Sequence, residues 1–545
     1  MAGAVSAGAY TAGVMDFLWE ALSNWEQQKG QPDVPTHQVQ IPIMGGASAG
    51  GMTTLIAAAV AHKKFAPVRW EEVQANPLAQ QPQNPFYHAW VDLEGDDMFS
   101  KMMSLSDLKG EATPSLLNSD FIDRIAAKMI QSDGQPGVLP SFVAHDLEFF
   151  STLTNLEGFE KKVNFRTANH AFDPHLISWH KDYGCFRLSQ KGPKDALAQR
   201  QSGNYDGWIP INFGQADAET LQIVREVAMA TGAFPGGLKS RKVTRKAEDL
   251  NANPWIEADD LPAGFYEGFY VDGGVINNEP FERVKERLYL RTGQTEKEAS
   301  NFSQSKGTVV MIDPFPSKDK KFEGTFDVLP NLNQTLGAML GQLRVKNEVL
   351  DAHYDHQTIF RYLIAPTRKT AAGENLKGER AIACGFMGGF GGFLSKAFRA
   401  HDFFLGRANC ERFLREYFTV PVHAETLEPL NPIFKAGYAQ VQQKERYLSE
   451  SGHLPIIPVL TPQRKEGTDF KMDWPKQAPN FTETFQPAVK GRVNALIKKQ
   501  RAQLSWWKRL AVDAGRWIIL RRLGTNAVLK TIQNSMEEWG LLPKH

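Results

Sequence analysis

Apolar residues recur at helical spacing between Ala9 and Gln28, with Val14, Phe17, Leu18, Leu22 and Trp25 on one face, and predict a first helix. A short apolar run over 38–44 ends at Gly45-Gly46 and predicts a buried strand. Ala49 to His62, rich in Ala and Gly, predicts a helix packed closely against its neighbours. The opening therefore reads turn, helix, strand, turn, helix, the alternation of an α/β domain. Met1 to Gly8 reads as the end of a strand running into a small-residue turn. A buried strand is expected ahead of such a turn, so the sequence is expected to begin late, at an internal Met.

Farther along, the pattern changes. Residues 65–160 mix Pro-rich loops (Asn76 to Pro85) with short helical pieces such as Ser115 to Ile130. An insertion or lid over the core is expected across about 65–220. Strands are predicted at Lys161–Thr167, Cys185–Leu188, Phe269–Asp272, Thr308–Ile312 and Thr358–Ile364, and helices at Leu221–Met229 and Asn331–His356. Arg380 to Leu394 is a Gly-rich apolar tract, a flexible or closely packed turn; it lacks the Gly-Lys-Ser/Thr of a phosphate loop. Pro-rich, polar sequence over 454–487 predicts a linker or arm. The expected organisation is a catalytic domain over 1–430, an arm over 431–487 and a helical C-terminal region over 488–545. No repeat of 20 to 50 residues is found.

The C-terminal region carries a charge pattern of its own. From Lys490 to Arg522 there are ten Lys/Arg and one acidic residue, Asp513, while Val493, Leu496, Ile497, Leu504, Trp507, Leu510, Trp517 and Ile518 repeat at helical spacing. A basic amphipathic helix with Trp suits either docking on the catalytic domain or an anionic membrane surface. The whole chain, by contrast, has 545 residues and a net charge of +1, so no global field points to nucleic acid. Three dispersed cysteines, Cys185, Cys384 and Cys410, predict neither a disulfide framework nor a zinc knuckle, and a reducing, cytoplasmic setting is expected. No run of about 18 apolar residues predicts a membrane span.

The candidate chemistry centres on Gly46-Ala47-Ser48-Ala49-Gly50. A G-x-S-x-G between strand and helix is a nucleophile elbow: the turn is sharp enough to strain the serine backbone, and its glycine neighbours permit close packing. Ser48 would also sit at a helix N-terminus, which favours negative charge. Ser48 comes too early in the chain for the usual order of nucleophile, acid and histidine. Asp272, at the end of a predicted strand and before Gly273-Gly274, is the alternative base, against the plain reading of Asp-Gly as a turn. His353 and His356 lack the spacing of a zinc protease. His401 and Asp402 are adjacent, so their side chains are not expected to meet on a helix.

On these residues the sequence resembles the patatin-like phospholipase family. A Gly-rich turn before a helix, G-x-S-x-G and D-G-G follow in order; Ala230 to Pro235 and Asp272 to Pro280, with Asn278 and Pro280 in place, extend the likeness over residues 1 to about 315. The resemblance implies an α/β, three-layer sandwich with a mainly parallel central sheet, here with a largely helical insertion and a C-terminal helical extension. It implies a Ser48–Asp272 dyad that needs no histidine and proceeds through an acyl-enzyme. Gly3, Ala4, Val5 and Ser6 would supply the oxyanion-binding N–H groups, and Gly8, Gly46, Gly50, Gly273 and Gly274 would support the motifs. The family's G-G-G-x-[KR]-G is matched only at Gly3 and Gly8, and Ala7 replaces its basic residue. No metal and no cofactor are implied. The expected substrate is a lipid or other acyl ester, with a peripheral membrane surface as a partner through residues 490–522. The alternatives are a non-phospholipid esterase or thioesterase of the same fold, or an inactive membrane-associated scaffold. The sequence fixes no oligomeric state.

Overall fold

Successive residues in the longest strands are buried on opposite faces. Phe149, Met44 and Phe186 join one apolar core, while their neighbours Phe150, Ile43 and Cys185 join a second. A sheet covered on both sides is the middle of three layers, and the mixed α/β sandwich expected from the sequence is what forms. The computed structural model describes residues 1–134, 137–166, 172–259, 261–316, 362–460, 473–503 and 514–543.

The main sheet contains β1 (Ile41–Gly46), β2 (Val143–Arg166), β3 (Phe172–Leu188), β4 (Ile209–Ile211), β5 (Arg241–Lys246) and β6 (Phe265–Asp272). Its pairing is mixed: β1 with β2 and β3 with β4 are parallel, and the other pairs are antiparallel. One consequence positions the site. β1 and β6 share the same strand, β2, as neighbour and approach each other head to head. β1 runs up to Gly46 opposite Ser151, and β6 runs down to Asp272 opposite Leu153. The residues just past the ends of the two strands therefore meet. A second, parallel pair is formed by β7 (Val310–Ile312) and β8 (Tyr362–Ile364).

The principal helices are α1 (Gly8–Gln28), α2 (Ser48–Val60), α3 (Asp120–Met129), α4 (Ala218–Thr231), α5 (Phe281–Thr292), α6 (Lys396–Glu416), α7 (Gln486–Gln503) and α8 (Ala514–Glu538). α1 and α6 touch backbone to backbone: a Cβ added to Gly13 would lie 1.9 Å from the Phe403 carbonyl oxygen, and one added to Gly406 would lie 2.2 Å from that of Tyr10. Only glycine allows helix axes to approach so closely.

Between β1 and β7 lies a cavity of about 680 Å³, walled by Val39–Gly45, Gly307–Ile312 and apolar side chains including Met15, Leu18, Leu22, Val284 and Phe413. Met1 and Ala2 cross one end of it. The Met1 nitrogen donates to the Gly45 carbonyl (2.8 Å), the Ala47 N–H donates to the Met1 carbonyl (3.2 Å), and the Ala2 N–H donates to that of Ile312 (2.9 Å). The first two bonds bracket Gly46 in the pattern of parallel strands.

Two expectations change. The stretch over 65–220 is not an insertion throughout, because its residues 143–188 are β2 and β3, the middle of the sheet. These strands are apolar on both faces at their N-terminal and C-terminal ends respectively, which hides the period-2 pattern. The arm expected from 431 is folded at its start: Leu454-Pro455 pairs with Thr419-Val420, and Tyr438 is buried with its hydroxyl on the Pro455 carbonyl (2.7 Å). The predicted helix Asn331–His356, with His353 and His356, lies outside the described residues.

Candidate active site

The sharp turn after β1 places Ser48 at the first position of α2. Ala47 is extended (φ −127°, ψ 149°) and Ser48 takes φ +50°, a left-handed conformation that costs a non-glycine residue energy and persists only where surroundings impose it. Here the surroundings are specific. The Ser48 N–H donates to Thr231 Oγ1 at the end of α4 (2.9 Å). A Cβ at Gly46 would lie 2.4 Å from the Gly50 carbonyl carbon, and one at Gly50 would lie 2.3 Å from the Met1 carbonyl oxygen. The two glycines of the elbow are thus required by close approach of main chain.

Asp272 arrives from the opposite direction and is fixed on every side. Its N–H donates to the Ala233 carbonyl (2.9 Å), and its own carbonyl accepts from Thr154 Oγ1 (2.9 Å). Its Oδ1 accepts the Gly274 N–H (2.7 Å), and its Oδ2 accepts from Ser48 Oγ (2.6 Å). Both Ser48 and Asp272 are buried, at 5% and 4% exposure, so bulk water does not compete for this bond. A Cβ at Gly273 would lie 2.0 Å from the Thr152 carbonyl oxygen, which explains the first glycine of the D-G-G motif.

Gly3 lies against the pair. A Cβ there would fall 2.7 Å from Ser48 Cβ and 2.4 Å from Asn278 Oδ1. Among the described residues neither Gly3 nor Ala4 donates its N–H to another main-chain group. Val5 takes φ +49°, a rare conformation for a β-branched residue. Ser6 points its hydroxyl away, to the Gly389 carbonyl and the Gly392 N–H. Gly8 opens α1, and a Cβ there would lie 2.3 Å from the Trp90 ring. The turn that leads into α1 thus stands, at Gly3, against the first residue of α2.

The structure brings Ser48, Asp272 and Gly3 together with two residues that the sequence reading quoted only as motif context, Thr231 and Asn278. Their signal was present in the stretches Ala230–Pro235 and Asp272–Pro280, without a role attached. His401 and Asp402 correct an expectation: His401 Nδ1 meets Asp402 Oδ1 at 2.8 Å although the two are neighbours on α6. Asp402 also accepts the N–H groups of Ala383 (2.7 Å) and Cys384 (2.8 Å), and the His401 ring packs on Trp474. No histidine intervenes in the direct bond from Ser48 to Asp272.

Helix α7 docks on the domain. Arg492 of α7 is buried and donates to the carbonyls of Ser104, Ser115 and Leu116 and to Asp107, while Lys499 donates to those of Gly110 and Ala112 (both 2.6 Å). Among the described residues no helix is long and apolar enough to cross a membrane, and no group of three His, Cys, Asp or Glu is placed to hold a metal ion.

Comparison with known proteins agrees with the part of the fold that builds this site. The chain is 30% identical over 498 residues to an uncharacterized protein, y4iI, of Sinorhizobium fredii (strain NBRC 101917 / NGR234), covering 84% of this chain and 70% of that protein. No solved structure matches it. The patatin-like phospholipase family matches residues 1–285, more than half the chain and the segment that holds the elbow, both flanking helices and the D-G-G loop. The chain belongs to the patatin-like phospholipase family.

Proposed function

We propose that this protein is a serine acyl hydrolase that cleaves carboxylic esters of lipids, with Ser48 as nucleophile and Asp272 as general base. The observation that carries the reading is the buried 2.6 Å hydrogen bond from Ser48 Oγ to Asp272 Oδ2, made by a serine held in a left-handed elbow. Family membership supports hydrolysis of lipid esters as the class of reaction. The Ser48 oxygen attacks the ester carbonyl carbon as its proton passes to Asp272, and negative charge develops on the carbonyl oxygen. The main-chain donors from Gly3 onward are suited to receive that charge. Collapse breaks the ester C–O bond, and the proton on Asp272 leaves with the alcohol. Water then attacks the acyl-enzyme, gives its proton to Asp272, and the acid departs as Ser48 regains a proton. General-base assistance of this kind contributes roughly 10²–10⁴-fold.

The substrate in this reading is a phospholipid or a related acyl ester, met at an anionic membrane surface through residues 490–522, on the cytoplasmic side. A fluorophosphonate probe tests the chemistry. It should label the wild-type protein at Ser48 and fail to label Ser48→Ala, and p-nitrophenyl ester hydrolysis should be lost in parallel. Equal labelling of the two proteins would remove Ser48 as nucleophile. Vesicle binding by both proteins with hydrolysis by neither would favour a scaffold.

A further inference from the structure

The turn that faces Ser48 is held by a loop 383 residues farther along the chain. Val5 at φ +49° needs a surrounding that enforces it, and the nearest such surrounding is the Gly-rich loop 385–393. Ser6 Oγ donates to the Gly389 carbonyl and accepts the Gly392 N–H (2.9 Å). Gly389 itself has φ +92°, and a Cβ there would lie 2.9 Å from the Ala4 carbonyl oxygen and 3.3 Å from Val5 Cβ. The loop therefore touches the turn at three consecutive residues, Ala4, Val5 and Ser6. Met387 (φ +55°) and Gly388 (φ +64°) make the bend that lets it do so.

The loop is itself anchored by α6. Arg399 is fully buried and spends its guanidinium on three main-chain carbonyls: Gly392 (2.6 Å), Val91 (2.9 Å) and Gly95 (3.0 Å). Asp402 fixes the loop's entry through Ala383 and Cys384. α6 in turn lies backbone against backbone on α1, the helix into which the turn leads. Turn, loop and helix form a closed ring of contacts, and a buried guanidinium given wholly to carbonyls fixes main-chain position.

We propose that residues 383–402 are a clamp on the oxyanion turn, with Ser6 as the positioning residue that joins the two. For its catalytic consequence this rests on the hydrolase reading above. It extends the working site beyond residues 1–285, the segment that the family matches. Neither the Ser6 side chain nor Arg399 touches the reacting atoms in this scheme. They set where the N–H groups of the turn stand, and a displacement of about 1 Å in such groups costs on the order of 100-fold in rate.

Two variants of the full chain test it: Ser6→Cys, which keeps shape and weakens both hydrogen bonds, and Arg399→Lys, which keeps charge but not the fork. Amide hydrogen exchange by mass spectrometry is read first. Each variant should speed exchange in peptides covering 3–8 as well as 385–393, with β1 unchanged. Fluorophosphonate labelling of Ser48 and kcat for p-nitrophenyl butyrate should fall roughly 10–100-fold while KM changes little. Faster exchange confined to 385–393, or an unchanged labelling rate, would overturn the clamp. A wild-type protein that is never labelled would instead refute the hydrolase reading. The exchange in 3–8 would then decide alone whether the loop holds the turn.

Discussion

Asp272→Asn separates the base from its geometry. The carboxylate is held by two bonds that do not depend on its charge: Oδ1 accepts the Gly274 N–H (2.7 Å), and the main-chain carbonyl accepts from Thr154 Oγ1 (2.9 Å). An asparagine oxygen can keep the first, and the second is untouched. The amide nitrogen then stands where Oδ2 was, 2.6 Å from Ser48 Oγ, and donates to that oxygen instead of accepting from it. The serine proton loses its acceptor while the side chain's volume and position persist. General-base catalysis is worth about 10²–10⁴-fold, so kcat/KM for a p-nitrophenyl ester should fall by that factor, equivalent to roughly 3–5.5 kcal/mol of transition-state stabilisation. Stability should hold, because the bonds from the Gly274 N–H and the Thr154 hydroxyl are kept. The assay is steady-state hydrolysis beside urea unfolding of the same preparation. A loss of activity below about tenfold would refute the assignment of Asp272 as base. A large loss accompanied by an equal loss of stability would refute the claim that the substitution leaves the geometry intact.

Three further outcomes are expected. Thr231→Val, nearly isosteric, removes the acceptor of the buried Ser48 N–H (2.9 Å) and should cost about 1–3 kcal/mol in urea unfolding, with slower fluorophosphonate labelling; unchanged values for both would show that the elbow is held otherwise. Glu148 is buried and accepts from Arg187 (2.9 Å) and from Arg287 Nε (2.8 Å), while Arg187 also holds Asp206 (2.6 Å), so Glu148→Leu should destabilise by about 3 kcal/mol in urea unfolding; an unchanged midpoint would refute the pairing. His37 is lowered from the usual 6.5 to about 4 by burial, its Nε2 facing the Ile456 carbonyl (2.8 Å). Because the unfolded chain takes up this proton first, stability should be full above pH 6.5 and fall by roughly 3 kcal/mol between pH 6.5 and 4. Unfolding of His37→Phe should lack that part of the slope.

What the sequence could disclose was the geometry written locally. Ser48 was legible because strand, glycine, serine, glycine and helix follow within one short stretch, and Asp272 because the strand end and its two glycines are contiguous. α1, α2 and α4 were legible from apolar periodicity. The sheet's centre was not. Phe149 and Phe150, or Cys185 and Phe186, are buried on opposite faces, so β2 and β3 show no alternation, and the long strand Val143–Arg166 surfaced only as its end from Lys161. The bonding of Ser48 to Thr231 spans 183 residues and that of Ser6 to Gly389 spans 383, and no local pattern encodes either. The tract 380–394 was readable as a closely packed turn but not for what it packs against. His401 and Asp402 show the reverse error: helical spacing argued against contact, yet the imidazole bends back to its neighbour at 2.8 Å.

The cavity beside β1 bears on how the protein should be handled. Met1 does not open onto a free surface: its nitrogen points at Gly45, and its carbonyl holds Ala47, the residue before Ser48. A segment joined there would enter the apolar cavity flanked by β1 and β7. An extended apolar leader would find main chain to pair with on the way out. A charged leader would face a desolvation cost and withdraw Met1 toward solvent, drawing on Ala47 and on the close approach of the Met1 carbonyl to Gly50. Activity measured with a charged tag joined at Met1 would then report a disturbed elbow.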